Sequence, residues 1–291
     1  MKILVTGANG FVGKALVKRL IASEHDIYVL DINFEGFEFI NEVKGCFQQD
    51  ISRSFKLEEN LDFVFHLGAY NVTHVGETSS DKYHSVNVEG TANLLGSANI
   101  RNFVFLSSIK VYDNTCARID EDAPLAPVNG YEKSKLEAEK ICTEKFSGEN
   151  LYIFRSVNIA GPGQFEKALV PVLFKNAISG QPLDVFAPRK SIIHLLYVED
   201  ICDLFEGLLS DRAKGSIYNL SSKEDVCLDV LAAMIVKITN SKSEILLKND
   251  SPVIQSKIIM DKVRKDLGWT PKTDIKEILK LYYRSIKNGG K

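Results

Sequence analysis

Tyr131 and Lys135 stand four residues apart in "YEKSK" (131–135), a spacing that puts both on one face of a helix. A lysine ammonium beside a phenol favours the phenolate and lowers its pKa from about 10. Such a phenol can take a proton from an alcohol and return it to a ketone. Ser108 closes the apolar run "NFVFLSS" (102–108) and can hold the same substrate oxygen during the transfer. Taken alone, Y-x-x-x-K is a weak signal, because a tyrosine and a lysine so spaced are an ordinary helix face. The pair still lacks something to exchange a hydride with.

The start of the chain offers it. "TGANGFVG" (6–13) places Gly7, Gly10 and Gly13 between an apolar run and an amphipathic segment. In such a turn Gly7 allows a tight bend, Gly10 lets backbone approach a pyrophosphate, and Gly13 lets the helix pack against the strand. The helix N-terminus turns N–H groups and a positive dipole end towards phosphate. Gly7, Asn9, Gly10, Phe11 and Val12 are therefore the expected dinucleotide contacts. Asp31 ends the next apolar run, where a carboxylate can accept hydrogen bonds from both adenosine ribose hydroxyls. It would repel a 2′-phosphate, and no arginine adjoins it, so NAD is favoured over NADP.

These residues need a scaffold, and the hydrophobic pattern supplies one. Short apolar runs at 2–6, 26–31, 45–50, 62–68, 102–108 and 151–156 read as buried strands. Amphipathic segments at 11–24, 84–99 and 131–146 read as helices. Strands alternating with helices at this spacing predict an α/β fold, a doubly wound parallel (Rossmann) sheet. Past residue 160 the pattern loosens. "AGPGQ" is a break, 166–179 a helix, "GQPLDVF" a hairpin-like piece, and 226–239, 260–267 and 274–286 further helices. We expect a dinucleotide-binding domain over 1–160 and a smaller, discontinuous substrate domain over 161–291. Segments near 198–222, a helix and the strand "SIYNL", are expected to return to the main sheet.

Composition narrows the partners. Among the 291 residues, 36 basic and 38 acidic side chains leave a net charge of −2, with no dense basic block for nucleic acid. No stretch nears the roughly 20 apolar residues of a membrane span. Five cysteines, an odd number without metal-ligand spacing, fit thiols in a reducing compartment, and no metal site is expected. A cytoplasmic protein is the expectation.

Ten motifs in order then resemble one family: "TGANGFVG", "DIS" (50–52), "HLGA" (66–69), "NVEGTANLL" (87–95), "SSIKVY" (107–112), "YEKSKLEAE", "RSVNIAGPG" (155–163), "YVEDI" (197–201), "YNLSS" (218–222) and "LGWTPK" (267–272). The chain resembles, nearly end to end, the extended short-chain dehydrogenase/reductases of the NAD-dependent epimerase/dehydratase group, which act on nucleotide sugars. The resemblance implies that Asp50 and Ile51 line an adenine pocket, and that Leu67, Gly68, Ala69 and Ser107 lie along the cofactor. It implies that Asn87 supports the cofactor side and that Ser108, Tyr131 and Lys135 are catalytic, Lys135 also holding the nicotinamide ribose. Asn158 would contact the sugar or its diphosphate, and Arg189 or Lys190 the diphosphate. It further implies a homodimer through the 84–99 and 131–146 helices.

Departures are informative. Ser156 replaces a usual proline beside the nicotinamide, Gly68 a usual alanine and Asp113 a usual glycine. Tyr70 and His74 follow the fourth strand and read as packing or loop residues that can also face a sugar. Family dehydratases carry an Asp–Glu pair after the active-site serine or threonine; here Ile109 and Lys110 stand there, and an aliphatic chain transfers no proton. Nor is there the cysteine at 109 of enzymes that epimerise beside a ketone. Redox at one sugar carbon remains, as a 4-epimerase or as a 4-keto sugar nucleotide reductase, with NAD tilting the reading to the epimerase. A catalytically silent dinucleotide sensor or scaffold is the third reading, and the intact Ser108, Tyr131 and Lys135 weigh against it.

Overall fold

The computed structural model describes residues 1–71, 80–146, 148–185, 191–210, 214–247 and 256–289. The chain opens with β1 (Lys2–Thr6), α1 (Phe11–Leu20), β2 (Asp26–Asp31), β3 (Gly45–Gln48) and β4 (Asn60–His66). A rod follows, made of α2 (Ser80–Tyr83), a π-helical stretch His84–Glu89 and α3 (Gly90–Ser97). Then come β5 (Asn99–Ser108), a 3-10 turn Ile109–Val111, β6 (Arg118–Ile119), α4 (Gly130–Lys145) and β7 (Leu151–Ser156). The second half holds β8 (Asn158–Ala160), α5 (Leu169–Ile178), β9 (Leu183–Val185), β10 (Ile192–Ile193), β11 (Leu195–Tyr197) and α6 (Val198–Gly207). It ends with β12 (Ile217–Leu220), β13 (Val226–Cys227), α7 (Leu228–Thr239), β14 (Ile245–Leu247), β15 (Lys257–Ile258), α8 (Asp261–Leu267) and α9 (Ile275–Lys287).

Seven strands form one parallel sheet in the order β12-β7-β5-β4-β1-β2-β3, the doubly wound arrangement expected. Its apolar runs are continuous because both faces are covered. Ile3 and Val5 of β1 pack with Leu16 and Leu20 of α1 and Phe205 of α6, while Leu4 joins Leu94 of α3 and Ala138 of α4 on the other face. The strand order reverses between β1 and β4, which opens a crevice at their C-terminal ends. Register lines up what ends there: Thr6 beside His66, His66 beside Phe105, and Ser108 beside Ser156.

A separate cluster gathers Val170, Leu173 and Phe174 of α5, Leu231 and Ile235 of α7, and Ile278 and Leu279 of α9. Here the structure corrects the sequence reading. Residues 183–185 are no hairpin; they pair in parallel with 245–247, a partner some sixty residues further on. Gly180, at φ 69°, ends α5 and turns the chain away before Leu183 and Val185 are buried. The rod expected as a regular helix over 84–99 begins at Ser80, widens to π-helix and ends at Ser97. β12 does return to the main sheet, beside β7, and α6 to the α1 face. No disulfide joins any of the five cysteines, all of which are among the described residues. No helix among the described residues is long and apolar enough to cross a membrane.

Candidate active site

The start of α4 is set by its own sequence. Asn129 accepts a hydrogen bond from the Glu132 N–H at 3.0 Å, and the Glu132 carboxylate accepts from the Asn129 N–H at 3.3 Å. This reciprocal cap fixes the first turn, so Tyr131 and Lys135 project from a helix whose origin cannot drift. Ser108 ends β5, and its Oγ accepts from the Lys110 N–H at 3.2 Å as the chain turns. Ser108 also hydrogen-bonds the Tyr131 phenol, and Ser108, Tyr131 and Lys135 are all buried.

Electrostatics corrects one expectation. Burial pushes the Tyr131 phenol up to about 12, against the opposing pull of the Ser108 hydrogen bond, and Lys135 is not among the groups acting on it. The Lys135 ammonium instead lies 4.5 Å from the centroid of the Phe105 ring. Burial pushes it down to about 8, and the Glu139 carboxylate opposes that shift. The four-residue spacing shares a face, but desolvation decides the phenol's state in the chain by itself.

The glycine turn joins β1 to α1. Gly7 adopts φ 64°, and a Cβ there would sit 2.6 Å from the Gly68 Cα. A Cβ on Gly13 would meet the Gly7 carbonyl oxygen at 2.0 Å, so α1 approaches the turn as closely as backbone permits. No side chain caps α1 at Gly10. Asp31 braces this turn: one carboxylate oxygen accepts from the Asn9 N–H at 2.9 Å, the other from the Ile32 N–H at 2.7 Å. The Asn9 Nδ2 donates to the Asn33 and Glu35 carbonyls, while its Oδ1 is buried with no partner.

A buried polar chain ties these parts together. The Asn87 Oδ1 accepts from the Tyr70 N–H at 2.7 Å, and its Nδ2 donates to the Ser134 Oγ at 2.9 Å, whose hydroxyl donates to the Tyr131 carbonyl. Thr91 donates to the Asn87 carbonyl, leaving its oxygen to accept from the His66 Nε2 at 3.0 Å. The Nδ1 then accepts from the Thr6 hydroxyl at 2.7 Å. This assigns one neutral tautomer, and burial holds His66 down at about 3.

A cleft of about 580 Å³ opens over the crevice. It brings together Gly7, Gly10, Phe11, Val12, Gly13, Leu67, Ala69, Ser107, Ser108, Ile109, Lys110, Tyr131, Lys135, Ser156 and Asn158. Six expected contacts do not line it. Asn9 and Asp31 lie beside the glycine turn, Gly68 packs under Gly7, and Asn87 is a buried brace. The Asp50 carboxylate, held below its usual range by hydrogen bonds from Ser52, faces Ser52, and Ile51 packs beneath Gly90. The Tyr70 ring lies tilted against Tyr83, centroids 5.2 Å apart, with the Lys82 ammonium 4.5 Å above it. His74, Arg189 and Lys190 lie outside the described residues. Sequence reasoning missed Gln164, Phe165, Leu169, Ile193 and Leu195, which close the far wall. The "AGPGQ" break beside Asn158 was the available signal.

The comparisons agree with this fold. The model of the NAD dependent epimerase/dehydratase family matches residues 3–221. A UDP-glucose 4-epimerase of Lactobacillus helveticus is 28% identical, covering 94% of this chain and 92% of its own. A trifunctional UDP-glucose 4,6-dehydratase/UDP-4-keto-6-deoxy-D-glucose 3,5-epimerase/UDP-4-keto-L-rhamnose-reductase of Arabidopsis thaliana is 29% identical over 96% of this chain, which spans only 46% of that protein's length. A UDP-glucuronic acid 4-epimerase from Bacillus cereus, solved with UDP-glucuronic acid and NAD, shares the fold at TM-score 0.85 and 22% identity, with 99% of both chains covered. The family match takes in the whole seven-stranded sheet with Ser108, Tyr131 and Lys135, and the chain is accordingly an enzyme of the NAD dependent epimerase/dehydratase family.

Proposed function

We propose that this enzyme is a nucleotide-sugar epimerase that inverts one carbon by reversible oxidation, C4 of a UDP-hexose. One observation carries the reading. Among the described residues that line the cleft there is no carboxylate, histidine or cysteine; its titratable side chains are Tyr131, Lys135 and Lys110. Dehydration needs a further acid and base to expel water, and epimerisation beside a ketone needs a base at the neighbouring carbon. Redox at a single carbon needs only one proton shuttle.

The residues fit the family's cofactor. Gly7, Gly10 and Gly13 leave a cradle that side chains would fill, α1 opens without a side-chain cap, and Asn9 carries an unsatisfied buried oxygen beside Asp31. Gly7 to Val12 would hold the diphosphate, and Asp31 the adenosine ribose. Bound NAD supplies a hydride acceptor and a positive charge. Ser108 holds the reacting sugar oxygen, and Tyr131 takes its proton and gives it back. Lys135 would carry a positive charge one helical turn from Tyr131, and it is the positive charge of bound NAD that would offset the burial holding Tyr131 as a phenol. We assign the cofactor to 1–160 with its returning segments and the sugar to 161–291. Asn158 and Gln164 line the cleft, and we assign them to the sugar. A cytoplasmic homodimer completes the proposal.

The test is incubation with UDP-glucose, UDP-galactose and their N-acetyl forms without added NAD, with products resolved by NMR. Interconversion of 4-epimers is the expected result. No conversion even with NAD added overturns the UDP-hexose reading and moves the assignment to reduction of a 4-keto sugar nucleotide.

A further inference from the structure

Three segments wall the reacting end of the cleft: the end of β5 with Ser107 and Ser108, α4 with Tyr131 and Lys135, and the end of β7 with Ser156, next in chain to Arg155. One carboxylate touches all three. Glu139 lies on α4, one turn beyond Lys135. Its Oε1 accepts from the Ser107 hydroxyl and from the Arg155 Nε at 3.1 Å, and its Oε2 accepts from the Arg155 Nη2 at 2.7 Å. Glu139 and Arg155 are each only 3% exposed. Arg155 is sandwiched further by the Tyr112 ring, 4.7 Å away.

An ion pair this deep gains little net stability, because desolvating two charges offsets most of their attraction. Its value must lie in what the charge does. On its own helix the groups acting on Lys135 are Glu139 and Cys142; His66 of β4 and the Phe105 ring of β5 face it from the sheet. The Cys142 thiol is pushed far up by burial and the His66 ring is neutral. Among the described residues Glu139 is thus the one anion acting on the Lys135 ammonium. Its hydrogen bonds also tie the ammonium's helix to the serine strand and to the Ser156 strand together.

We propose that Glu139 is a positioning residue for the proton transfer: it locks the Ser107–Ser108, Tyr131–Lys135 and Arg155–Ser156 segments into one geometry and supplies the counter-charge for the Lys135 ammonium. The inference rests on the reading of Tyr131 and Lys135 as the proton-transfer pair, so its test reads Lys135 without any sugar present. The holoenzyme carrying 13C-labelled lysine is titrated by NMR, with Lys135 assigned by its loss in Lys135→Met. In Glu139→Gln the Lys135 midpoint falls by about one pH unit or more. With a turned-over sugar, kcat drops roughly tenfold while KM stays within about twofold. The alkaline loss of turnover begins at correspondingly lower pH, since a charged Lys135 is then lost sooner.

Glu139→Asp retains the charge and keeps the Lys135 midpoint near that of the parent. If Glu139→Gln does not fold, Glu139→Gln with Arg155→Gln removes the uncompensated guanidinium; Arg155 is not among the groups acting on Lys135, so the same fall is expected. A folded variant that melts lower but titrates Lys135 at the parental midpoint overturns the proposal and leaves Glu139 a structural residue. A shifted midpoint in a protein that converts no sugar upholds it and sinks the sugar assignment alone.

Discussion

The two halves of this molecule bury different things. The sheet half buries polar groups in hydrogen-bonded chains: Thr6–His66–Thr91–Asn87–Ser134 on one line and Ser107–Glu139–Arg155 on another. The buried residues of α5, α7 and α9 are all apolar. Apolar packing alone suffices to hold helices together. A buried polar chain must have every member satisfied and tolerates no slippage. The first half is therefore built to hold angles and distances, and the second to hold a wall.

Substitutions can break that contrast. The largest effect is expected for Tyr131→Phe, which keeps the ring and removes the shuttled proton. Turnover should fall roughly 10²- to 10⁴-fold with an unchanged melting temperature. A Tyr131→Phe enzyme with near-parental kcat would remove the phenol from the chemistry. Next comes Leu231→Ala in the apolar cluster, which should cost about 2–5 kcal/mol of stability in denaturant titration. The folded fraction should keep its NAD affinity, because no polar chain passes through Leu231. A parallel loss of NAD binding would show that the two halves are one mechanical unit.

A third expectation concerns pH. The His66 ring is neutral in the folded state, held down at about 3 from 6.5 by burial. The unfolded chain binds that proton first as pH falls. Stability should therefore decline from about pH 6.5 towards pH 3, with the full His66 contribution present only above 6.5. In His66→Gln, urea midpoints measured across this range should vary less with pH. An equally steep decline would place the acid sensitivity in other groups. The smallest effect is expected for Asn129→Ala, which removes the cap of α4 at a cost of about 1 kcal/mol in thermal unfolding.

The same contrast explains what could be read in advance. The strands of the sheet declare themselves through short apolar runs, and the glycine turn through spacing that only backbone contact requires, as Gly7 and Gly13 show. Tyr131, Lys135 and Ser108 were legible because helix periodicity and a strand end locate them. Glu139 and Arg155 were not. Neither names its partner locally, and only the approach of α4 to β7 turns them into a pair. The parallel pairing of 183–185 with 245–247 was hidden for a similar reason, since local pattern carries no signal for a partner so far along the chain. The tilt of the Tyr131 phenol away from phenolate depends on desolvation, which spacing does not report.

The return of β12 to the edge of the sheet has a last consequence. Ile217 pairs with Ile153, and Gly215 donates its N–H to the Glu149 carbonyl, across everything that builds the far wall. A nascent chain that has emerged only through β7 thus presents an open strand edge, a template for wrong pairing. Contacts this distant in sequence close slowly. The sheet is completed only after residues 157–220 have been made, so β7, the neighbour of the Ser108 strand, acquires its own second partner late in folding, and a chain cut after residue 160 would be left with β7 as an unprotected edge.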